Sequence, residues 1–314
     1  MDKNFLKYGL GLLILSVFAS CEKEVTINVD PLEPQLVIHG FMNTHDSSEI
    51  YVESTDSIVL SQYGYEERVK LKTAKVVVST STGEKHQFYF NQLQQRFIGP
   101  PIKEGETLHL KVEHPQYKSA SATCIVPQST MVEGSWFKRS PKSEDPNQDN
   151  IQVDFKIKNA TGKQYFMVNL KLQTIKTWGS NSDTSDFNSY FFSSYDLRFF
   201  AFNDPIDISS GYTNYIDAPG LFEKSLSSSD VTTQIYSNHY NYGTEFYSDV
   251  LKDLAIEISE ITEDAYRYYA TVQAEQWTNG DPFSSPVSIR SNIQDGLGIF
   301  MATNNSFNLL RDDN

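Results

Sequence analysis

From Gln35 onward the apolar residues of this chain recur at every second position, and that period decides the fold class. Successive side chains of an extended strand point to opposite faces, whereas a helix repeats every 3.6 residues. QLVIHGFMN, EIYVES, AKVVVSTSTGEKHQFYF, ETLHLKVEH and KSASATCIVP are short runs rich in Val, Ile, Thr and aromatic residues. Ser81-Thr82-Gly83 folds one run into a hairpin, and Glu104-Gly105 precedes another. Strands this short at this spacing predict an immunoglobulin-like β-sandwich over residues 35–127.

A second β-rich domain, residues 128–314, is expected after the polar stretch SPKSEDPNQDN. There Ile151, Val153, Phe155 and Ile157 alternate, NATGK turns, and Phe166, Val168, Leu170 and Leu172 alternate again. This reads as a hairpin with one buried face. Residues 177–250 carry much Ser, Asn, Asp and Tyr without a long period, as strands joined by long loops would. Leu254, Ile256 and Ile258 mark a further strand. The period then changes. Ile261, Ala265, Tyr268 or Tyr269, and Val272 repeat at three and four, which predicts one helix over about 262–276. Thr262 is its N-cap, Glu263 and Asp264 favour the dipole of its first turn, and Asn279-Gly280 ends it.

The chain opens MDKNFLKYGLGLLILSVFASC. Lys3 and Lys7 make a basic start, and Tyr8 to Ala19 is almost wholly apolar. That run falls well short of the roughly 20 apolar residues a helix needs to cross a bilayer. A basic start, a short apolar stretch and small residues at its end describe an export signal over residues 1–20. Ala19-Ser20 before Cys21 resembles a bacterial lipobox, with Phe18 where Leu is commonest. The resemblance implies lipidation of Cys21 and cleavage before it. Two or three acyl chains, at about 0.8 kcal/mol for each buried CH2, make such an anchor effectively permanent. Residues 21–34 then form a tether. Its Glu22-Lys23-Glu24 resembles the surface-export signal of Bacteroidota lipoproteins, which implies display on the outer face of the outer membrane.

A net charge of −14 repels phosphate backbones and anionic lipid surfaces alike, which excludes nucleic acid as a partner class. Once lipid takes Cys21, Cys124 is alone and no intramolecular disulfide can form. Ala120, Ala122, Cys124 and Val126 share one strand face, so Cys124 reads as a small core residue rather than a reactive thiol.

The stretch NGDPFSSPVSIRSNIQDGLGIF carries a further likeness. Asp281-Pro282-Phe283, Pro286-Val287, Ser291-Asn292-Ile293 and Gly296-Leu297-Gly298-Ile299-Phe300 resemble the closing motif of a Bacteroidota outer-membrane lipoprotein family, domain of unknown function 4249. The lipidated Cys, the acidic tether and the Leu-Val-Ile strand near the start fit the same family. The resemblance implies an outer-membrane location and a neighbour, a TonB-dependent transporter β-barrel; it implies no chemistry. Physically the motif reads as structural. Asp281 would accept backbone N–H groups in a turn stiffened by Pro282, and Phe283 would fill the core. Val287 and Ile289 would alternate in a strand. Asp295-Gly296 permits a hairpin with positive φ, and Gly298 allows close backbone approach or a bulge before Phe300. Asn292 belongs to the same motif.

No nucleophile elbow, phosphate-binding glycine loop, dinucleotide fingerprint or zincin helix occurs, and none of the six histidines pairs at metal-binding spacing. Asp145, Asn147 and Asp149 repeat as in a calcium loop, but Asn150 and Lys156 stand where Gly and Glu are required. Asp56-Ser57-Ile58 resembles a short O-glycosylation site. Two aromatic-polar tracts remain, with Trp178, Tyr190, Tyr195, Tyr240 and Tyr242 as candidate contacts for a ligand or protein partner. Loops of Trp, Tyr and Asn suit an oligosaccharide or a peptide, and equally serve as half-buried strand residues. The expected function is a non-enzymatic binding or accessory protein with no cofactor, metal or catalytic residue. A surface hydrolase of glycan or peptide and a purely structural envelope protein are the competing readings.

Overall fold

The computed structural model describes residues 33–312, except 56–57, 61–65, 69, 130, 143–144, 159–162, 191, 195–213, 217–219, 225–230, 241, 244–246, 279–284 and 286. The first nine strands are β1 (Leu36–Asn43), β2 (Ser48–Ser54), β3 (Ile58–Leu60), β4 (Glu66–Arg68), β5 (Lys75–Thr80), β6 (Lys85–Asn91), β7 (Arg96–Gly99), β8 (Thr107–His114) and β9 (Tyr117–Ile125). Next come β10 (Met131–Lys142), β11 (Asp145–Lys158), β12 (Gln164–Trp178), β13 (Asn181–Thr184), β14 (Asn188–Tyr190), β15 (Phe192–Ser194) and β16 (Asn214–Ile216). The chain continues through β17 (Gly220–Lys224), β18 (Val231–Tyr240), β19 (Tyr242–Gly243), β20 (Tyr247–Ile261), helix α1 (Glu263–Thr278), β21 (Gly296–Leu309) and β22 (Arg311–Asp312). The described residues are mostly β with one helix, as the sequence period dictates.

Period-two burial builds the first core. Leu36, Ile38 and Met42 of β1, Val76 and Val78 of β5, Leu108, Leu110 and Val112 of β8, and Ala120, Ala122 and Cys124 of β9 all point inward. Burial pushes the Cys124 thiol well above its ordinary range, as a small core residue requires. The strands run β1-β2-β7-β6-β5-β8-β9 on a single hydrogen-bonded path, every neighbour antiparallel. The free edge of β9 returns to the start of β21. Ser121 N donates to the Gln294 carbonyl at 3.1 Å, and Gln294 N donates to the Ser121 carbonyl at 2.7 Å. The sheet therefore curls around its core, whereas the sequence predicted two facing sheets. Alternation marks the buried face of each strand, and a curled sheet and a sandwich bury the same alternate residues.

The predicted hairpin of residues 151–157 and 166–172 is absent, although both strands are present. β11 pairs with β10 and β18 in a six-stranded sheet, and β12 pairs with β20 in the large one. Their apolar faces meet across a second core, with Ile151, Val153, Phe155 and Ile157 on one side and Phe166, Val168, Leu170 and Leu172 on the other. Two sheets thus pack face to face in this part of the chain.

The large sheet crosses the predicted boundary near Pro127. β21 lies between β1, with which it is parallel from Leu36↔Gly296 to Asn43↔Thr303, and β20, with which it is antiparallel. Helix α1 covers the outer face of this region over Tyr165, Leu221, Ile261, Ile299 and Met301. Thr262 caps it, accepting the Ala265 N–H at its hydroxyl at 3.3 Å. The middle of β21 is thus covered on both faces, and Ile299, Phe300, Met301 and Ala302 have no solvent exposure. A strand buried on both faces reads as a continuous apolar run, as this one does.

Residues 287–293 form no strand, contrary to the alternation of Val287 and Ile289; Ile289 is exposed. Instead Asn292 acts as a surrogate strand. Its Nδ2 donates to the Phe300 carbonyl at 2.8 Å, and its Oδ1 accepts the Phe300 N–H at 2.8 Å. Gly298 confirms the close approach expected of it. Its φ is +110°, and a Cβ there would stand 2.0 Å from the Ile38 carbonyl oxygen. Asp281, Pro282 and Phe283 lie outside the described residues. Asn292→Ala leaves two backbone groups of a buried strand unpaired. We expect a loss of about 2–3 kcal/mol in denaturant unfolding, and a midpoint equal to that of the parent would refute the surrogate role.

Candidate functional site

Asn43 shapes one wall of a cleft. Its Oδ1 accepts the backbone N–H groups of His45 at 2.8 Å and Asp46 at 3.1 Å, which fixes the turn between β1 and β2. Its carbonyl accepts the Ile102 N–H at 2.9 Å and holds the segment before β8 alongside. The resulting cleft is about 360 Å³ and is lined by Thr44, His45, Ile102, Lys103, Glu104, Ser129 and Asn304. It opens where the curled sheet meets the first residues leading to β10, on the strand that links both cores.

Asn304 is the buried hub, 3 % exposed. Its Nδ2 donates to Glu104 Oε2 at 3.1 Å and to the Pro127 carbonyl at 3.3 Å. Its Oδ1 accepts the Thr44 hydroxyl at 3.1 Å. Glu104 Oε2 also accepts the Ser129 N–H at 3.0 Å. Thr44 Oγ1 lies 2.8 Å from His45 Nδ1. The single hydroxyl proton of Thr44 is already given to Asn304, so the ring nitrogen must be the donor in that contact. A neutral His45 is therefore the Nδ1–H tautomer, and Nε2 is its acceptor.

A second polar cluster surrounds the start of α1. Arg267 Nε donates to Glu263 at 2.8 Å; this bond holds the Glu263 carboxyl below its usual range and raises the guanidinium. Lys163 pairs with Glu223 at 2.8 Å, which raises its ammonium. Burial pushes the Tyr266 and Tyr269 phenols up to about 12. The folded state holds these protons more tightly than the unfolded chain, whose tyrosines titrate near 10. Stability from this source is complete below pH 10 and is lost as pH rises from 10 to 12. Denaturant unfolding across that window should show the decline, and it should be smaller in the Tyr266→Phe, Tyr269→Phe variant.

Strand register places the predicted aromatic contacts among the described residues away from the cleft. Trp178 is 48 % exposed, opposite Tyr247 at the far end of β20, and Tyr242 is opposite Asp249 on the other flank of that strand. Asn304 instead lies opposite Glu260. At roughly 3.3 Å per residue, the aromatic end and the cleft are about 40 Å apart along β20. Tyr190 is opposite Leu170, well short of Trp178 along β12, and Tyr240 ends β18 in the other sheet. Tyr195, Cys21 and Asp56-Ser57 lie outside the described residues. Among the described residues no group of three or more His, Cys, Asp or Glu could hold a metal ion.

Residues 22–307 match the family described as Domain of unknown function (DUF4249). The chain belongs to the DUF4249 family. No curated protein matches it. The DUF4249 match begins directly after Cys21 and takes in every residue of the cleft and of the closing motif from Asp281 to Phe300. His45, Glu104, Ser129 and Asn304 escape a reading of the sequence because no motif links them and up to 260 positions separate bonded partners. One signal was available. Asn304 has the phase of Phe300 and Ala302, so a polar residue stands where the alternation points inward.

Proposed function

We propose that this protein is a lipid-anchored outer-membrane protein, displayed at the cell surface. It works without catalysis of its own, as a binding or accessory subunit beside a TonB-dependent transporter. The observation that carries this reading is the amino terminus: a basic start, an apolar run too short to span, and Cys21 directly before an acidic tether. The acidic body supports it, since a net charge of −14 gives no attraction to an anionic surface and leaves attachment to the acyl chains. No helix among the described residues is long and apolar enough to cross a membrane, which agrees with lipid as the anchor. The transporter partner follows from the family resemblance.

The test is gentle solubilisation of membranes and capture through this chain, in parent and Cys21→Ala forms. A large β-barrel retained by the parent, with the variant lost from the membrane fraction, is the expected result. A parent recovered from the aqueous fraction with residues 1–20 still attached overturns the anchor. A lipidated parent that retains no barrel overturns the partner.

A further inference from the structure

We propose that the cleft between the β1–β2 turn and β21 binds a neutral polyhydroxylated molecule, with room for about one sugar ring. The assignment depends on neither the anchor nor the transporter; it rests on the hydrogen-bonding roles left to the cleft's walls.

Those roles follow by counting. Glu104 spends one carboxylate oxygen on Asn304 and Ser129, and Oε1 remains an acceptor. His45 presents Nε2 as an acceptor, because Thr44 holds its Nδ1–H. Lys103 contributes three donors, and the Ser129 hydroxyl gives or takes a proton. Among the described residues Glu104 Oε1, Lys103 Nζ and the Ser129 hydroxyl make no hydrogen bond, so the walls offer two acceptors, one cation and one ambivalent hydroxyl. Glu104 and Lys103 cancel in charge. An anion would meet Glu104, a cation would meet Lys103, and an apolar guest would leave the polar groups unsatisfied at a cost. A hydroxyl both donates and accepts, so a set of adjacent hydroxyls can answer all of these groups at once. The volume, about 360 Å³, lies at the small end for ligand sites.

The buried hub makes this a built site. Asn304 cannot turn without breaking bonds to Glu104, Pro127 and Thr44, so it orients the exposed Glu104 and, through Thr44, the exposed His45. Preorganisation of this kind lowers the ordering cost of binding.

Saturation-transfer NMR on the full chain in detergent micelles tests the assignment. The probes are methyl glucopyranoside, its fully O-methylated derivative, and glycine. His45→Ala and Ser129→Ala change side chains on exposed segments; the Ser129→Ala variant keeps the backbone N–H that Glu104 uses. We expect transfer to the glucoside, none to the O-methylated form, and affinity for the glucoside reduced about threefold to tenfold by His45→Ala, as for one lost hydrogen bond. Silence from the glucoside at 50 mM (roughly the top of a weak-binding range) overturns the proposal. So does binding of glycine in its place, and so does glucoside binding that neither variant weakens, which would locate the sugar elsewhere.

Discussion

Gly298→Ala should abolish folding. The added methyl would stand 2.0 Å from the Ile38 carbonyl oxygen and 2.9 Å from its carbon. No side-chain rotation relieves such a contact, because the obstacle is backbone. Nor can β1 retreat, since Leu36 and Ile38 are fully buried in the first core and paired to β2 on their other edge. A φ of +110° adds a conformational penalty of about 1–3 kcal/mol for any residue with a Cβ. Overpacking against fixed atoms adds about 1–3 kcal/mol or more. Together these come to about 2–6 kcal/mol or more, enough to unfold a domain at the lower end of the usual stability of about 5–15 kcal/mol. Gly83→Ala separates the two contributions. Gly83 also has positive φ, +89°, but nothing stands within 4 Å of its would-be Cβ. It should lose only about 1 kcal/mol, the backbone part alone. The comparison is read as soluble yield and as the denaturant midpoint; a Gly298→Ala protein with the parent's midpoint would show that β1 and β21 are not held this close.

Phe300→Ala should cost about 3–5 kcal/mol, the usual toll of removing a fully buried ring. Phe300 has no exposed surface and lies against Gly40, where even a methyl would come within 2.8 Å of its ring. Its neighbours in the core are strands locked in a sheet, so little collapse into the void is available. Phe300→Leu keeps most of the volume and should cost under about 1.5 kcal/mol. Because Asn292 grips the backbone of residue 300 and not its ring, the side-chain loss should add to that of Asn292→Ala unless strand β21 leaves the sheet altogether. Calorimetric or denaturant unfolding of the two single variants and the double variant distinguishes these outcomes.

What could be read in advance follows the range of each interaction. Strand identity, the helix, the buried Cys124 and the backbone demand at Gly298 are local or periodic properties, visible in neighbouring residues. Partner choice is not. β11 and β12 alternate as any hairpin would, yet each turns its apolar face to the other and its edges elsewhere. Likewise nothing near Leu36 announces that it will align with Gly296. The cleft fails to announce itself for the same reason, being assembled from a turn, a loop and a strand whose only mark in sequence is Asn304 in an inward phase.

The parallel seam between β1 and β21 sets a timetable. Leu36 and its partner Gly296 are 260 positions apart, so β1 waits for a distant segment before its second neighbour arrives. Pairings across such long separations form slowly. A product terminated before residue 296 would keep one bare edge on β1 and another on β20, the kind of unpaired margin that recruits foreign strands. Arrival of β21 is thus built into the architecture as the step that closes both margins.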